Sequence, residues 1–237
     1  MANKISLCGV RIDNVTLDEA VKNAFSKERS PCAVFTPNAV MLDACRRNPT
    51  LAVLLNRATL SLPDGAGVLL AAKRKGTPLR ARAAGIDFGE TLMKRAARDG
   101  LKLFLLGGKE GVAEQAAKNL SLKYPHLTIC GTHHGYFQKE GSENAAVLSQ
   151  IAACKPDILF VCFGFPAQER WILKSLPSLP CLRVAAGLGG SLDVWSGNTK
   201  RAPKSLQRCG LEWAWRMIRE PKRFKNLPSM LDFFLFS

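Results

Sequence analysis

"LKLFLLGGKEGVAEQAAKNLSLK", residues 101–123, decides the fold class. The apolar run Leu101–Leu106 stops at Gly107-Gly108, and an amphipathic stretch of helical length follows to Lys123. A strand-length run, a glycine turn and then a helix make one unit of a parallel sheet. The same alternation extends in both directions. Strands are expected at "CAVFT" (32–36), "ATLSL" (58–62), "LTICG" (127–131), "DILFVCF" (157–163) and "CLRVAA" (181–186). Helices are expected over 16–26, 39–48, 66–75, 86–99, 110–123, 142–154 and 167–175. Thr16 and Glu19 form a capping-box signature at the first of these. The pattern predicts an α/β fold, a mostly parallel sheet with helices on both faces.

The chain has 237 residues and a formal net charge of +15. Its length suits one sizeable α/β core. Such a charge implies an anionic partner: nucleic acid, a phosphate-rich substrate or an acidic membrane surface. Nine Lys/Arg between Asn198 and Lys225 face only Glu212 and Glu220, so this segment alone carries +7. Trp213, Trp215, Met217, Ile218 and Phe224 are interleaved with them. The chain is therefore expected to divide into a catalytic domain, 1–196, and a basic helical appendage, 197–237. No recognised DNA- or RNA-binding module is present, so a nucleic-acid partner is not expected; a nucleic-acid-binding protein is the runner-up reading, and an enzyme of another nucleotide-dependent reaction the third.

The eight cysteines include no C-x-x-C pair, and most sit in apolar runs; buried free thiols are expected. Three histidines without a tight ligand cluster give no zinc site, and no D-x-D pair follows a strand to clamp a metal. Neither metal nor cofactor is expected. The N-terminus lacks a signal-peptide layout, and no apolar stretch reaches the ~20 residues that span a bilayer. The expectation is a cytoplasmic protein held peripherally at the inner face of the cell membrane.

In open α/β sheets ligands bind beyond the carboxyl ends of the strands. Thr36, Asn38, Asp64, Gly107, Gly108, Gln168, Gly189 and Gly190 all follow predicted strands. Glycine turns let backbone N–H groups approach a diphosphate, so Gly107, Gly108, Gly189 and Gly190 are candidate phosphate contacts. Tyr136 has two readings, a ring beside a nucleoside or a cap on the core; by position, Asp193 is a candidate for ribose hydroxyls, Asn38 for the donor and Gln168 for donor or acceptor hydroxyls. Asp64, in "LSLPDGAG" (60–67), has two readings: a turn or helix-capping carboxylate, or a general base.

Taken together, "FTPNAVMLDACRR" (35–47), "LSLPDGAG", "DILFVCFGFPAQERW" (157–171), "GLGGSLDVWSGNTKRAP" (187–203) and "EWAWRMIREPKRFK" (212–225) resemble the WecG/TagA/CpsF family of bacterial glycosyltransferases. The resemblance is collinear over residues 5–226. It implies a Rossmann-like core and metal-independent, inverting transfer of a sugar, commonly N-acetylmannosamine, from UDP to an undecaprenyl-diphosphate-linked acceptor. The product would feed wall teichoic acid, enterobacterial common antigen or capsule. It also implies that Asp64 is the base, that Thr36 lies in the catalytic pocket, and that Arg216 and Arg223 reach the lipid-linked diphosphate. One departure is Asn226, where members often carry arginine. The sugar, the polymer pathway and the choice between monomer and homo-oligomer are left open by the sequence.

Overall fold

The computed structural model describes residues 4–26 and 31–236. The side chains of Lys222, Arg223, Asn226 and Phe236 lie outside the described ones. The chain opens with an antiparallel hairpin, β1 (Lys4–Leu7) and β2 (Val10–Asp13), turned by Cys8 and Gly9, both at positive φ. A two-residue turn of this kind matches the twist of its strands. The helix α1 (Leu17–Ala24) follows, with the Thr16–Glu19 capping box formed as expected.

Six parallel strands then build the main sheet. They are β3 (Cys32–Phe35), β4 (Leu60–Ser61), β5 (Lys102–Gly107), β6 (Thr128–His133), β7 (Ile158–Cys162) and β8 (Val184–Gly187). Their order across the sheet is β4-β3-β8-β7-β5-β6. Each coincides with a predicted apolar run. The period of two divides every strand between two cores: Cys32, Val34, Leu103, Leu105, Ile158 and Phe160 face one, Ala33, Phe35, Phe104, Leu106, Leu159 and Val161 the other. The first core is covered by α1, α5 (Gly85–Asp99), α6 (Val112–Lys123) and α9 (Ser191–Trp195). The second is covered by the hairpin, α2 (Ala39–Arg47), α3 (Pro49–Leu55), α4 (Ala66–Arg74), α7 (Gly141–Cys154) and α8 (Ala167–Ser175).

The basic segment forms α10 (Lys204–Arg208), α11 (Glu212–Arg219), a 3₁₀ turn (Pro221–Asn226) and α12 (Leu227–Phe236). It lies on the core. Phe233 is fully buried in the second core, burial that stabilises docking by about 1.5–3 kcal/mol. Arg47 reaches from α2 to Asp232 at 2.6 Å, and Arg74 of α4 donates to the Phe234 carbonyl at 2.8 Å. Among the described residues no helix is long and apolar enough to cross a membrane.

Candidate active site

The strand β4 ends at Ser61, and its continuation is stitched to two neighbouring loops. Leu62 N–H donates to the Phe35 carbonyl (2.8 Å), Asp64 N–H to the Pro37 carbonyl (3.1 Å), and Ala83 N–H to the Pro63 carbonyl (2.9 Å). The N-cap of α4 is Gly65, at φ 96°, and no side chain caps that helix. The Asp64 carboxylate is thus not spent on the helix start. It lines a cavity of about 180 Å³ instead.

Burial pushes the Asp64 carboxyl up to about 6, while Arg216, Arg82 and the Gly85 N–H pull it down and Glu212 pushes it up. All four residues line the same cavity. A half-buried carboxylate of this kind is matched to accept a proton near neutral pH. The rest of the lining combines Asn38 and Ser191 from strand ends with Trp213, Met217, Met230 and Phe234 from the appendage. Core and appendage therefore share one cavity.

The other sequence candidates fall into three groups. Asn38 and Arg216 line the cavity beside Asp64; Asn38 also caps α2, its Oδ1 accepting from Met41 N–H at 3.2 Å. Thr36 is buried one layer back, its Oγ1 donating to the Gly187 carbonyl at 3.3 Å. A Cβ on Gly85 would stand 3.1 Å from that oxygen, so Thr36 packs directly behind Gly85, a residue of the cavity lining. Gly189 and Gly190 flank the cavity residues Leu188 and Ser191.

Gly107, Gly108 and Tyr136 follow β5 and β6, at the opposite side of the sheet from β4, and do not line the cavity. Packing alone requires glycine at Gly107: at φ 141°, a Cβ would meet the Cys162 carbonyl oxygen at 2.5 Å. Gly108 in turn accepts from Gly135 N–H at 2.8 Å, seating the loop that carries the exposed Tyr136. Gln168 is buried between these regions. Its Oε1 accepts from Gly164 N–H (3.3 Å) and Gly189 N–H (3.0 Å), and its Nε2 donates to Glu169 (2.9 Å), so it ties two strand-end loops together. Asp193 lies on α9, close enough to Cys162 to help raise its thiol, which burial chiefly pushes up to about 12. Arg223 lies outside the residues whose side chains are described.

Sequence reasoning missed Arg82, Gly85, Met230 and Phe234. Arg82 sits in "RARAAG" among ordinary loop arginines, and the two α12 residues read as an apolar tail. Among the described residues no group of three or more His, Cys, Asp or Glu is placed to hold a metal ion.

A family model, the glycosyl transferase WecG/TagA/CpsF family, matches residues 5–237. The chain belongs to that family. It is 34% identical over 231 residues to an N-acetylglucosaminyldiphosphoundecaprenol N-acetyl-beta-D-mannosaminyltransferase of Staphylococcus aureus (strain MRSA252), covering 96% of this chain and 89% of the relative. A protein of the same name from Bacillus spizizenii is 35% identical over 197 residues, 83% of this chain and 75% of the relative. Membership makes the cavity around Asp64 the candidate active site of a glycosyltransferase.

Proposed function

We propose that the chain transfers N-acetylmannosamine from its UDP conjugate to N-acetylglucosamine carried on undecaprenyl diphosphate, with inversion and without a metal, as a step towards wall teichoic acid or a related surface polymer. The relatives' names supply the sugar and the acceptor. The observation that supports the chemistry is Asp64, a carboxylate that does not cap α4 and is raised to about 6 beside Arg82 and Arg216.

In this reading an acceptor hydroxyl loses its proton to Asp64 as its oxygen bonds to the anomeric carbon. The bond from that carbon to the diphosphate oxygen breaks, and UDP leaves with the electron pair. Asn38 positions the donor sugar, and Thr36 holds the floor behind Gly85. Gly107, Gly108, Gly189 and Gly190 line the donor diphosphate, with Tyr136 near the nucleoside and Asp193 near the ribose. Arg216 and Arg223 meet the acceptor diphosphate, and Gln168 keeps the donor loops in register. Fixed cations and N–H groups then meet the developing charge.

The appendage would set the enzyme on the inner leaflet. Trp213, Ile218, Phe224, Leu231 and Leu235 are all exposed and lie within or just after the +7 stretch, a combination suited to an anionic lipid surface.

The test is turnover of UDP-N-acetylmannosamine with a short-chain polyprenyl-diphosphate N-acetylglucosamine, in the presence of EDTA. A β-linked disaccharide lipid is expected. No product with this donor, or full loss in EDTA restored by Mg²⁺ or Mn²⁺, counts against the reading.

A further inference from the structure

Beside the cavity, two carboxylates and two arginines close a ring. Asp87 stands in the first turn of α5 in the core, and Glu212 in the first turn of α11 in the appendage. Arg201 grips Asp87 with both guanidinium arms, Nη1 to Oδ1 at 2.6 Å and Nη2 to Oδ2 at 2.9 Å, and its Nε reaches Glu212 at 3.4 Å. Arg82 touches the same two carboxylates at longer range, Asp87 at 3.4 Å and Glu212 at 3.5 Å. The four side chains are only 15–29% exposed. A planar guanidinium that forks onto one carboxylate and reaches a second fixes direction as well as distance.

Two further contacts support the same arrangement, one within the appendage and one between it and α4. Trp215 Nε1 donates to the Lys200 carbonyl at 3.1 Å, binding α11 to the strand of chain that carries Arg201. Gly210 approaches α4 so closely that a Cβ would sit 2.7 Å from Ala66 Cβ, two residues from Asp64. Glu212 and Arg216 are four residues apart on α11, hence on one face, and both line the cavity.

We infer that Arg201 is a positioning residue: a latch that holds α11 against the core so that Arg216 stands over Asp64, and that saturates Asp87 so that Arg82 remains on the cavity side. The division follows from the distances. Arg201 makes the short contacts and stays out of the cavity, whereas Arg82 makes long ones and lines it. Without Arg201, two carboxylates are left to one arginine. Arg82 is then drawn onto them, and α11 keeps only that weaker tie to α5. This inference rests on the proposed reading of Asp64 and deepens it.

The experiment uses the full chain and three variants, Arg201→Gln, Asp87→Asn and the double. Hydrogen exchange of the α11 amides should quicken at least tenfold in each single variant, while β5 and β7 keep wild-type protection. With the lipid-linked acceptor, kcat/KM should fall roughly 10–100-fold, and KM for the UDP-sugar should stay within about twofold, the signature of an element needed on the acceptor side only. The double variant should be no worse than either single one, because both remove the same latch. Wild-type exchange in α11, equal losses for donor and acceptor, or effects of the two single changes that simply multiply would each overturn the latch. Arg201→Lys keeps the charge without the fork and serves if Arg201→Gln does not fold; α11 exchange and turnover identical to wild type in that variant would also overturn it. Exchange needs no substrate, so a wild-type chain that transfers no sugar defeats the proposed function and leaves the latch to be judged on its own data.

Discussion

Asp64 and Glu169 are two buried or half-buried carboxyls, each following a strand by a few residues, and burial raises both, to about 6 and about 7. Their surroundings differ. Asp64 opens on a cavity and has Arg216 and Arg82 for neighbours. Glu169 is fully enclosed; Gln168 bonds one of its oxygens, and the other has no hydrogen-bond partner. A raised carboxyl is therefore not by itself a mark of catalysis. What separates the two is access: a substrate hydroxyl can reach Asp64, and nothing in solution can reach Glu169. The first carboxyl is suited to exchanging protons with a ligand. The second holds its proton as part of a buried polar joint between loops.

Asp64→Asn should break the comparison most severely. It keeps size and polarity but cannot accept a proton, so turnover should fall ~10²–10⁴-fold with UDP binding and melting temperature near wild type. A variant that keeps more than about a tenth of wild-type turnover, against that expected range, removes Asp64 from the base role.

Glu169→Gln should leave turnover within about threefold and act on stability instead. Glu169 titrates higher folded than unfolded, so between 4.5 and about 7 the folded state holds the extra proton. Stability from this group is present at low pH and is lost as pH rises through about 7. The glutamine variant escapes that loss. Its unfolding free energy, read by denaturant titration, should gain on wild type between pH 5 and pH 8, by at most about 3 kcal/mol. A stability difference that does not change with pH would show that the buried carboxyl is not what titrates.

Arg216→Gln also lowers turnover, but it sharpens the comparison through its smallest readout, the pH profile. Arg216 favours the charged form of Asp64, so its loss should move the acid limb of kcat/KM upward from about 6. The shift should be up to about 1 pH unit, at the low end for a cation beside a carboxylate. The limb is read from the pH dependence of kcat/KM measured with the residual activity. A limb that stays in place or moves down separates the two groups.

Much of this was legible in the sequence, for reasons that particular residues make plain. The central strands β3, β5, β7 and β8 are apolar runs followed by glycine, proline or a polar residue, the pattern buried parallel strands leave. Asp64 was visible because Pro-Asp-Gly interrupts such a run. The opening hairpin was not read. Ile5, Leu7, Val10 and Ile12 do alternate, but over strands only four residues long. The helix α3 begins at Pro49 behind an Asn48 cap, a start signal lost in the shadow of the helix before it. Arg82 shows the sharper limit. Arg80, two residues earlier, pairs with Glu19 on the surface, while Arg82 lines the cavity. Nothing local distinguishes them, because the partners that decide are Asp87 and a glutamate 130 positions away at Glu212. Met230 and Phe234 likewise became site residues only through the packing of α12.

The edge strand β4 is two residues long, and its far side is met by the opening hairpin: the buried Asp13 accepts from Ser61 N–H at 2.9 Å and pairs with Lys4 at 3.4 Å. Backbone bonds from Thr59, Leu62 and Asp64 hold this segment on the β3 side, and Asp13 holds it on the other. A slip of one position would carry everything after it by about 3.3 Å and turn each side chain to the opposite face. Asp64 is three residues downstream. The aim of the proposed base thus depends in part on an aspartate at the end of β2, on the other side of the strand and away from the cavity. A selection for inactive yet folded variants should therefore return Asp13 and Lys4, positions that a map of the cavity would never include.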